Sequence, residues 1–388
     1  MKSRRNETVS LLKSLVKIDS VNPFDDRGGG EAEIAEFIRA TLDSYGLATR
    51  LQRVKGRRAN VVGLLRGTGN GPALMLNGHI DTVGVSGVKD PFGGRIDGQG
   101  LLHGRGACDM KGSIASMLTA IKSVVDSGTR LRGDLVFAGV VDEEYLSLGT
   151  RALVREYRTD AAIVGEPTGM DVAIAHKGYD WVEVTIRGRA AHGSVPEKGI
   201  DAIEKASTLV ASLSSLKSVH AALKHPLVGS PRMHTSTIAG GTEWSVVPES
   251  CTLHLERRTL PGERKGVAKR EVQRLVDNLS AEDPEFHATV AELFHQSGLE
   301  TSSKEPIVRS LGAAYRSVTG RRAKMVGMPY WTDAALLSGE AGIPACLFGP
   351  GDIRQAHSAD EYVDVKDVED ATLVFERAIR GFCLSDAK

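Results

Sequence analysis

The sequence predicts an α/β protein, a mixed and largely parallel sheet flanked by helices, interrupted by an inserted two-layer α+β domain. Three observations predict it. Through the first half of the 388 residues, strand-like apolar runs alternate with helical periods, the pattern of an α/β layer with a parallel core. After Lys177 and Gly178 the texture changes to strict alternation, the mark of a sheet wetted on one face. Beyond Ser297 the α/β texture returns. Residues 1–177 and 298–388 therefore read as one discontinuous domain and 178–297 as an insertion.

The elements follow in order. In the opening "MKSRRNETVSLLKSLVKI", Lys13, Ser14 and Lys17 interrupt Leu11, Leu12, Leu15, Val16 and Ile18. That is an amphipathic helix, not a signal peptide. "NVVGLLRG" and "ALMLNGHI" read as strands. A helix from about Lys111 to Ser127 places Ile114, Met117, Leu118, Ile121 and Val125 on one face. "LVFAGVV", a helix around Thr150 to Tyr157 and the strand "AAIVGEP" complete the first half. In the insertion, Val182, Val184 and Ile186 alternate with Glu183, Thr185 and Arg187. An amphipathic helix from Ile200 to Leu216 follows, then "CTLHLERR" with Cys251, Leu253 and Leu255 inward. A helix near Glu271 to Leu279 and the strand "HATVAELF" close the insertion. The chain ends in the strand run "ACLFGPG" and a helix through Val368 to Phe382. It contains no internal repeat and no low-complexity tract.

Composition excludes several function classes. Lys plus Arg balance Asp plus Glu at 49 each, so no electrostatic footprint points to nucleic acid or an anionic membrane. No apolar run approaches the roughly 20 residues of a membrane helix. Cys108, Cys251, Cys346 and Cys383 are scattered without a CxxC pair, which suits a reducing, cytoplasmic compartment better than a disulfide framework or thiolate zinc site. The expected partner is a small molecule.

Chemistry gathers where apolar runs stop. "LMLNGHID" ends in His79 and Asp81; "GRGACDMKG" opens a helix with Asp109; "LVFAGVVDEE" ends in Asp142, Glu143 and Glu144; "AAIVGEPT" ends in Glu166. In an open α/β sheet the carboxyl ends of the strands share one edge, where ligands bind. A fifth piece, "GPGDIRQAHSADE", sets His357 in a glycine-rich loop after a strand. Singly, each is ordinary: a histidine after a strand is more often a turn residue, an acid before a helix more often a cap. Their shared placement at strand ends is what argues for a metal. Two imidazoles and several carboxylates without thiolates fit zinc, and also manganese or cobalt.

Taken together, "GHIDTV", "GRGACDMKG", "DEE", "GEPT", "RAAHGSVPEKGIDAI", "LPGE" and "GPGDIRQAHSADEY" resemble the M20 metallo-amidohydrolases. These are the group of acetylornithine deacetylase, succinyl-diaminopimelate desuccinylase, aminoacylase and related carboxypeptidases. The motifs stand in family order from the first helix to the last. The resemblance implies a zinc exopeptidase-like fold and two divalent metals, with His79 and Glu166 on one, Glu144 and His357 on the other, and Asp109 bridging. It implies that Glu143 is the general base and that Asp81 orients His79, and it implies a cis peptide bond between Asp109 and Met110. It also makes the insertion a dimerisation domain, hence a homodimer. In that reading His192 reaches the partner's active site to stabilise the oxyanion and Arg258 holds the substrate carboxylate. Where the family usually carries an asparagine in contact with substrate, this chain has Ser245, which is shorter and offers fewer donors. His103, flanked by Gly104, matches no family ligand and reads as structural.

The expected activity is hydrolysis of an N-acyl amino acid, most like the acetylornithine deacetylase branch, whose closing histidine motif "GPGDIRQAHSADEY" resembles. The competing readings are a dipeptidase or carboxypeptidase, or a desuccinylase, on the same site. A non-catalytic binding homologue is a further alternative, against which stands Glu143, an unligated base that a binding module has no need of.

Overall fold

The computed structural model describes residues 2–23 and 30–386. The chain divides into two compact units. One comprises Met1–Ile174, Thr301–Val326 and Thr332–Lys388; the other comprises Ala175–Glu300 and Gly327–Trp331. The short stretch Gly327–Trp331 lies beyond Ser297 in sequence yet groups with the second unit.

The first unit is built on a mixed sheet. Its strands run in the order Ala48–Lys55, Arg58–Leu65, Leu135–Val140, Leu74–His79, Ala161–Val164, Ala345–Leu347 and Val172–His176. The four middle strands, from Leu135–Val140 to Ala345–Leu347, pair in parallel, and the outer pairs are antiparallel. Every residue of Leu135–Val140 and Leu74–His79 is buried, which is why these runs are continuously apolar rather than alternating. The parallel middle matters for function, because it brings the loops after four strands to one edge.

The helix Gly112–Asp126 differs from the one-faced helix read in the sequence. It is buried almost all round, small residues Ser113, Ala115 and Ser116 included, and it packs against Lys2–Val16 and Val365–Cys383. Val125 is only partly buried, and Val124 takes its place in the core. No helix of the described residues is long and apolar enough to cross a membrane.

The second unit is a four-stranded antiparallel sheet ordered Arg232–Gly240, Ser250–Thr259, Gly178–Arg187 and His287–Gln296. Gly178–Arg187 alternates buried and half-buried positions almost to its end. The helices Ala202–Ser212 and Val267–Glu282 cover one face. Their Ala206, Leu209, Val272 and Val276 join Val182, Val184, Ile186, Cys251, Leu253 and Leu255 in one core. Asp201 caps the first of these helices, its carboxylate accepting from the Ile203 and Glu204 N–H groups.

Candidate metal centre

The loops after the parallel strands carry most of the titratable groups read from the sequence. His79 closes Leu74–His79; Glu166 follows Ala161–Val164 by two residues; Asp142, Glu143 and Glu144 follow Leu135–Val140. Two glycines let the sheet come close enough to the helix beneath. A Cβ on Gly78 would lie 2.7 Å from Met110 Cε, and one on Gly165 would lie 2.5 Å from Met117 Cε and 2.8 Å from Ser113 Cβ. Each glycine directly precedes a candidate ligand.

Asp109 sits in a tight turn, Ala107–Lys111, at the head of the long buried helix, and the Asp109–Met110 peptide bond is cis. Its two oxygens face different imidazoles. Oδ1 is 2.9 Å from His79 Nε2 and Oδ2 is 3.4 Å from His357 Nε2. His357 Nε2 is also 3.1 Å from Glu144 Oε2. One donor atom each from His79, Asp109 and Glu144 lies within 4.8 Å of the others. Glu166 is buried within electrostatic reach of Asp109, His79 and Glu144, and Glu143 within reach of Glu166, His79 and Glu144.

The electrostatics of this cluster call for a cation. Burial pushes the Glu143 carboxyl well up and Glu166 adds repulsion. Burial likewise pushes Glu166 well up, with Asp109 adding to it, and raises Glu144, again with Asp109. Burial opposes charge on His79, but the bond to Asp109 and that aspartate's charge hold its imidazole well above the ordinary value. Hydrogen bonds donated to the Asp109 and Glu144 carboxylates push His357 up to about 10. Glu143, Glu144 and Glu166 are thus pushed toward neutrality chiefly by burial, while Asp109, between the two imidazoles, is held against burial well below its ordinary value by their hydrogen bonds. The set fits a divalent metal on two counts. It is all nitrogen and oxygen, and donors bound at about 2.0–2.1 Å in a tetrahedron stand roughly 3.3–3.5 Å apart, close to the separations found here. Cys108, next to Asp109, takes no part; its Sγ lies 3.4 Å from the Asp352 carbonyl oxygen.

Asp81 behaves differently from expectation. His79 Nδ1 lies 3.0 Å from the Asp81 main-chain oxygen, while the nearest carboxylate oxygen is at 3.7 Å. The carboxylate instead accepts the N–H groups of Glu143 and Glu144, both at 3.2 Å. Asp81 thus meets the imidazole through its main-chain oxygen and the acidic turn through its side chain.

Other groups escaped the sequence reading. The buried Glu361 carboxylate accepts from the N–H groups of Gly106, Cys108 and Asp109 at 3.0–3.1 Å and pairs with Arg105, fixing the turn that carries Asp109. Its only sequence signal is a place four residues after His357. Asp333, buried and pushed up to about 6 chiefly by burial, accepts from Thr150 Oγ1 at 2.6 Å. His103 lies 2.8 Å from Asp97 Oδ2 and against the Tyr362 ring, a local structural pairing.

His192, Ser245 and Arg258 belong to the second unit. His192 is exposed, with Nδ1 2.8 Å from Ser194 Oγ. It pairs with Val246 in an isolated bridge, and the Gly193 N–H donates to the Ser245 carbonyl at 2.7 Å, so His192 and Ser245 share one loop cluster. Arg258 points outward from its strand, with its guanidinium 5.3 Å from the centre of the Tyr179 ring and Nε 2.7 Å from Glu256 Oε1. Its neighbour Arg257 points inward and is fully buried.

The family model for peptidase family M20/M25/M40 matches residues 75–381. An acetylornithine deacetylase of Myxococcus xanthus is 30% identical over 363 residues, covering 90% of this chain and 92% of that one. The N-formyl-4-amino-5-aminomethyl-2-methylpyrimidine deformylase of Bacillus subtilis is 28% identical over 417 residues, covering 99% and 96%. Among solved structures, the Bacillus subtilis YXEP protein, a dinuclear metal binding peptidase of the M20 family, superposes with a TM-score of 0.77 at 16% identity, covering 99% and 100% of the two chains.

Proposed function

Because this chain belongs to peptidase family M20/M25/M40 and is a metal-dependent amidohydrolase, we propose that it removes the acyl group from an N-acyl amino acid. The observation that carries the reading is the cluster itself: Asp109 turns one oxygen to His79 and the other to His357, Glu144 meets His357, and the Glu143 carboxyl stands within electrostatic reach of His79, Glu144 and Glu166. His79 and Glu166 would hold one divalent ion and Glu144 and His357 the other, with Asp109 between them. When bound, such ions lower the pKa of water and offset charge on the attacked oxygen.

The chain's own groups do the rest. Glu143 takes the proton of the attacking water and passes it to the leaving nitrogen, a task that its environment suits by pushing its carboxyl well above the ordinary carboxylate range, chiefly through burial. Asp81 holds the Glu143–Glu144 turn still while this happens. His192, whose Nδ1 is engaged by Ser194, has Nε2 to offer the developing oxyanion, from the second subunit of a homodimer. The Arg258 guanidinium, steadied by the Tyr179 ring and Glu256, holds the substrate carboxylate. Ser245 contacts the substrate from the His192 loop.

Two relatives named for removing acetyl and formyl groups from nitrogen favour deacylation over cleavage of a peptide bond, the second reading. The test is purified protein, stripped by chelator and reloaded with zinc, cobalt or manganese, assayed on N-acetyl, N-formyl and N-succinyl amino acids and on dipeptides. Metal-dependent turnover highest on N-acetyl or N-formyl substrates supports the proposal. Turnover confined to dipeptides overturns it in favour of the peptidase reading.

A further inference from the structure

Behind the acidic turn lies an ionic network that the catalytic roles above leave unused. Arg58, the first residue of Arg58–Leu65, lies 2.8 Å from Asp142 Oδ1 through one terminal nitrogen. Its Nε lies 2.9 and 3.0 Å from the two oxygens of Glu31. Both carboxylate side chains are completely buried, and Arg58 itself is mostly so. Asn22 completes the arrangement. Its amide donates to Asp81 Oδ2 at 2.7 Å and to Asp142 Oδ1 at 3.2 Å. Its backbone is pinned beside Asp81, since the Asn22 N–H donates to the Thr82 carbonyl at 2.9 Å and the Thr82 N–H to the Ser20 carbonyl at 3.0 Å.

Asp142 is where this network meets the site. It has φ 71°, the left-handed region that a residue other than glycine enters at some cost. That bend sends the next two N–H groups, of Glu143 and Glu144, to the Asp81 carboxylate. The Asp142 carboxylate braces the bend further by accepting the Leu148 N–H at 3.3 Å. The Asn22 amide thus ties together the two carboxylates, Asp81 and Asp142, that decide where Glu143 and Glu144 point.

Stability alone is a poor reason for such a network, because replacing a buried ion triad by apolar side chains of similar volume is often neutral or stabilising. Resting on the functional reading above, we propose that Asn22, Arg58 and Glu31 are positioning residues, which set the Asp81 carboxylate and the Asp142 bend and through them hold Glu143 and Glu144 at working geometry. None of the three is among the candidate metal ligands or substrate contacts named above.

The experiment compares Asn22→Leu, Arg58→Met and the conservative Arg58→Lys with Phe375→Leu, a packing change in the core helix Val365–Cys383. For each, kcat and KM are measured in cobalt-loaded protein, together with cobalt affinity, the visible absorption of bound cobalt, and the thermal midpoint of loaded and metal-free forms. We expect the network variants to lose roughly 10–100-fold in kcat or cobalt affinity, with KM little changed and the cobalt absorption altered. Arg58→Lys should keep the thermal midpoint without recovering kcat, because an ammonium cannot span Glu31 and Asp142 as a planar fork does. Should Arg58→Met fail to fold, Asn22→Leu and Arg58→Lys carry the same comparison. Wild-type kcat, affinity and absorption in folded variants would overturn the proposal, as would an equal loss of kcat in Phe375→Leu at a matched midpoint. If the wild type hydrolyses no N-acyl amino acid, the functional reading fails, and the cobalt affinity and absorption still decide this one.

Discussion

Two adjacent arginines in one strand lead to opposite expectations, and the inward one gives the sharper test. Arg257 occupies a core register position in line with Cys251, Leu253 and Leu255. It is fully buried and held by four hydrogen bonds, to the Glu263 oxygens at 2.7 and 2.8 Å and to the Glu271 oxygens at 2.8 and 2.9 Å. Arg257→Ala takes the guanidinium from two carboxylates, leaving the buried Glu271 with His220 and Glu263 with the Leu260 N–H. Removing one partner of a buried ion network costs about 3–5 kcal/mol, and at roughly 3–5 °C per kcal/mol for a unit of this size the unfolding midpoint should fall by about 10–20 °C. The loss has a pH signature. Burial pushes the Glu263 carboxyl up, but the hydrogen bonds and charge of Arg257 outweigh it and hold the group below its ordinary 4.5. A carboxyl lowered on folding contributes stability above its unfolded pKa and loses it as pH falls through the folded one. The gap between wild type and Arg257→Ala should therefore be full at pH 7 and narrow below about pH 4.5. Scanning calorimetry at both values measures it. A shift under about 3 °C at pH 7, or a gap that ignores pH, refutes the reasoning.

The outward arginine should behave oppositely: Arg258→Ala leaves the midpoint nearly unchanged and raises KM roughly 10–100-fold, the size of a lost charged hydrogen bond of about 1.5–3 kcal/mol, measured on the best N-acyl substrate. Chelation should abolish turnover and lower the midpoint, with zinc, cobalt or manganese restoring both; full turnover in protein shown metal-free by mass spectrometry contradicts the assignment. Glu143→Ala should lose about 10²–10⁴-fold in kcat while keeping its metal content, and metal loss in step with activity makes Glu143 a ligand instead. His192→Ala should lose about 10²–10³-fold, and mixing its subunits with Glu143→Ala subunits should restore part of the activity, since one site of each heterodimer has both groups. A mixture that stays inactive although subunits exchange rules out a shared site.

How much of this was legible in the sequence depends on whether burial leaves a period. The strands ending at His79 and before Glu166 are buried on both faces, so their apolar runs stop sharply and mark the ligand edge. The strand Arg232–Gly240 leaves no such mark. It is an edge strand exposed or half-exposed along its whole length, so nothing in its alternation sets it apart from a loop. Arg257 hides for the opposite reason. It keeps the strand's period, but a charge at a core position reads as a break in the apolar set until Glu263 and Glu271 are seen around it.

Without the family resemblance, spacing made the acids legible only by type. Asp81, Asp142, Glu143, Glu144, Glu166 and Glu361 all fall near strand or turn ends, and spacing gives them equal claim to a metal. Hydrogen bonding separates them. Asp81 is occupied by the N–H groups of Glu143 and Glu144, Asp142 by Arg58, Asn22 and Leu148, and Glu361 by Arg105 and three backbone N–H groups. Those partners are backbone or cationic donors, which hold a carboxylate in place and use up its lone pairs. Asp109 and Glu144 turn oxygens toward imidazoles instead, and Glu143 and Glu166 are pushed up by burial and by neighbouring carboxylates. An acid whose oxygens are already satisfied by the fold is scaffold, and one whose charge the fold leaves uncompensated awaits a cation or a proton. The pairs that decide this are far apart in the chain, with Arg58 reaching Asp142 and Glu361 reaching Asp109, so no local spacing carries them and only the folded sheet edge brings the distinction out.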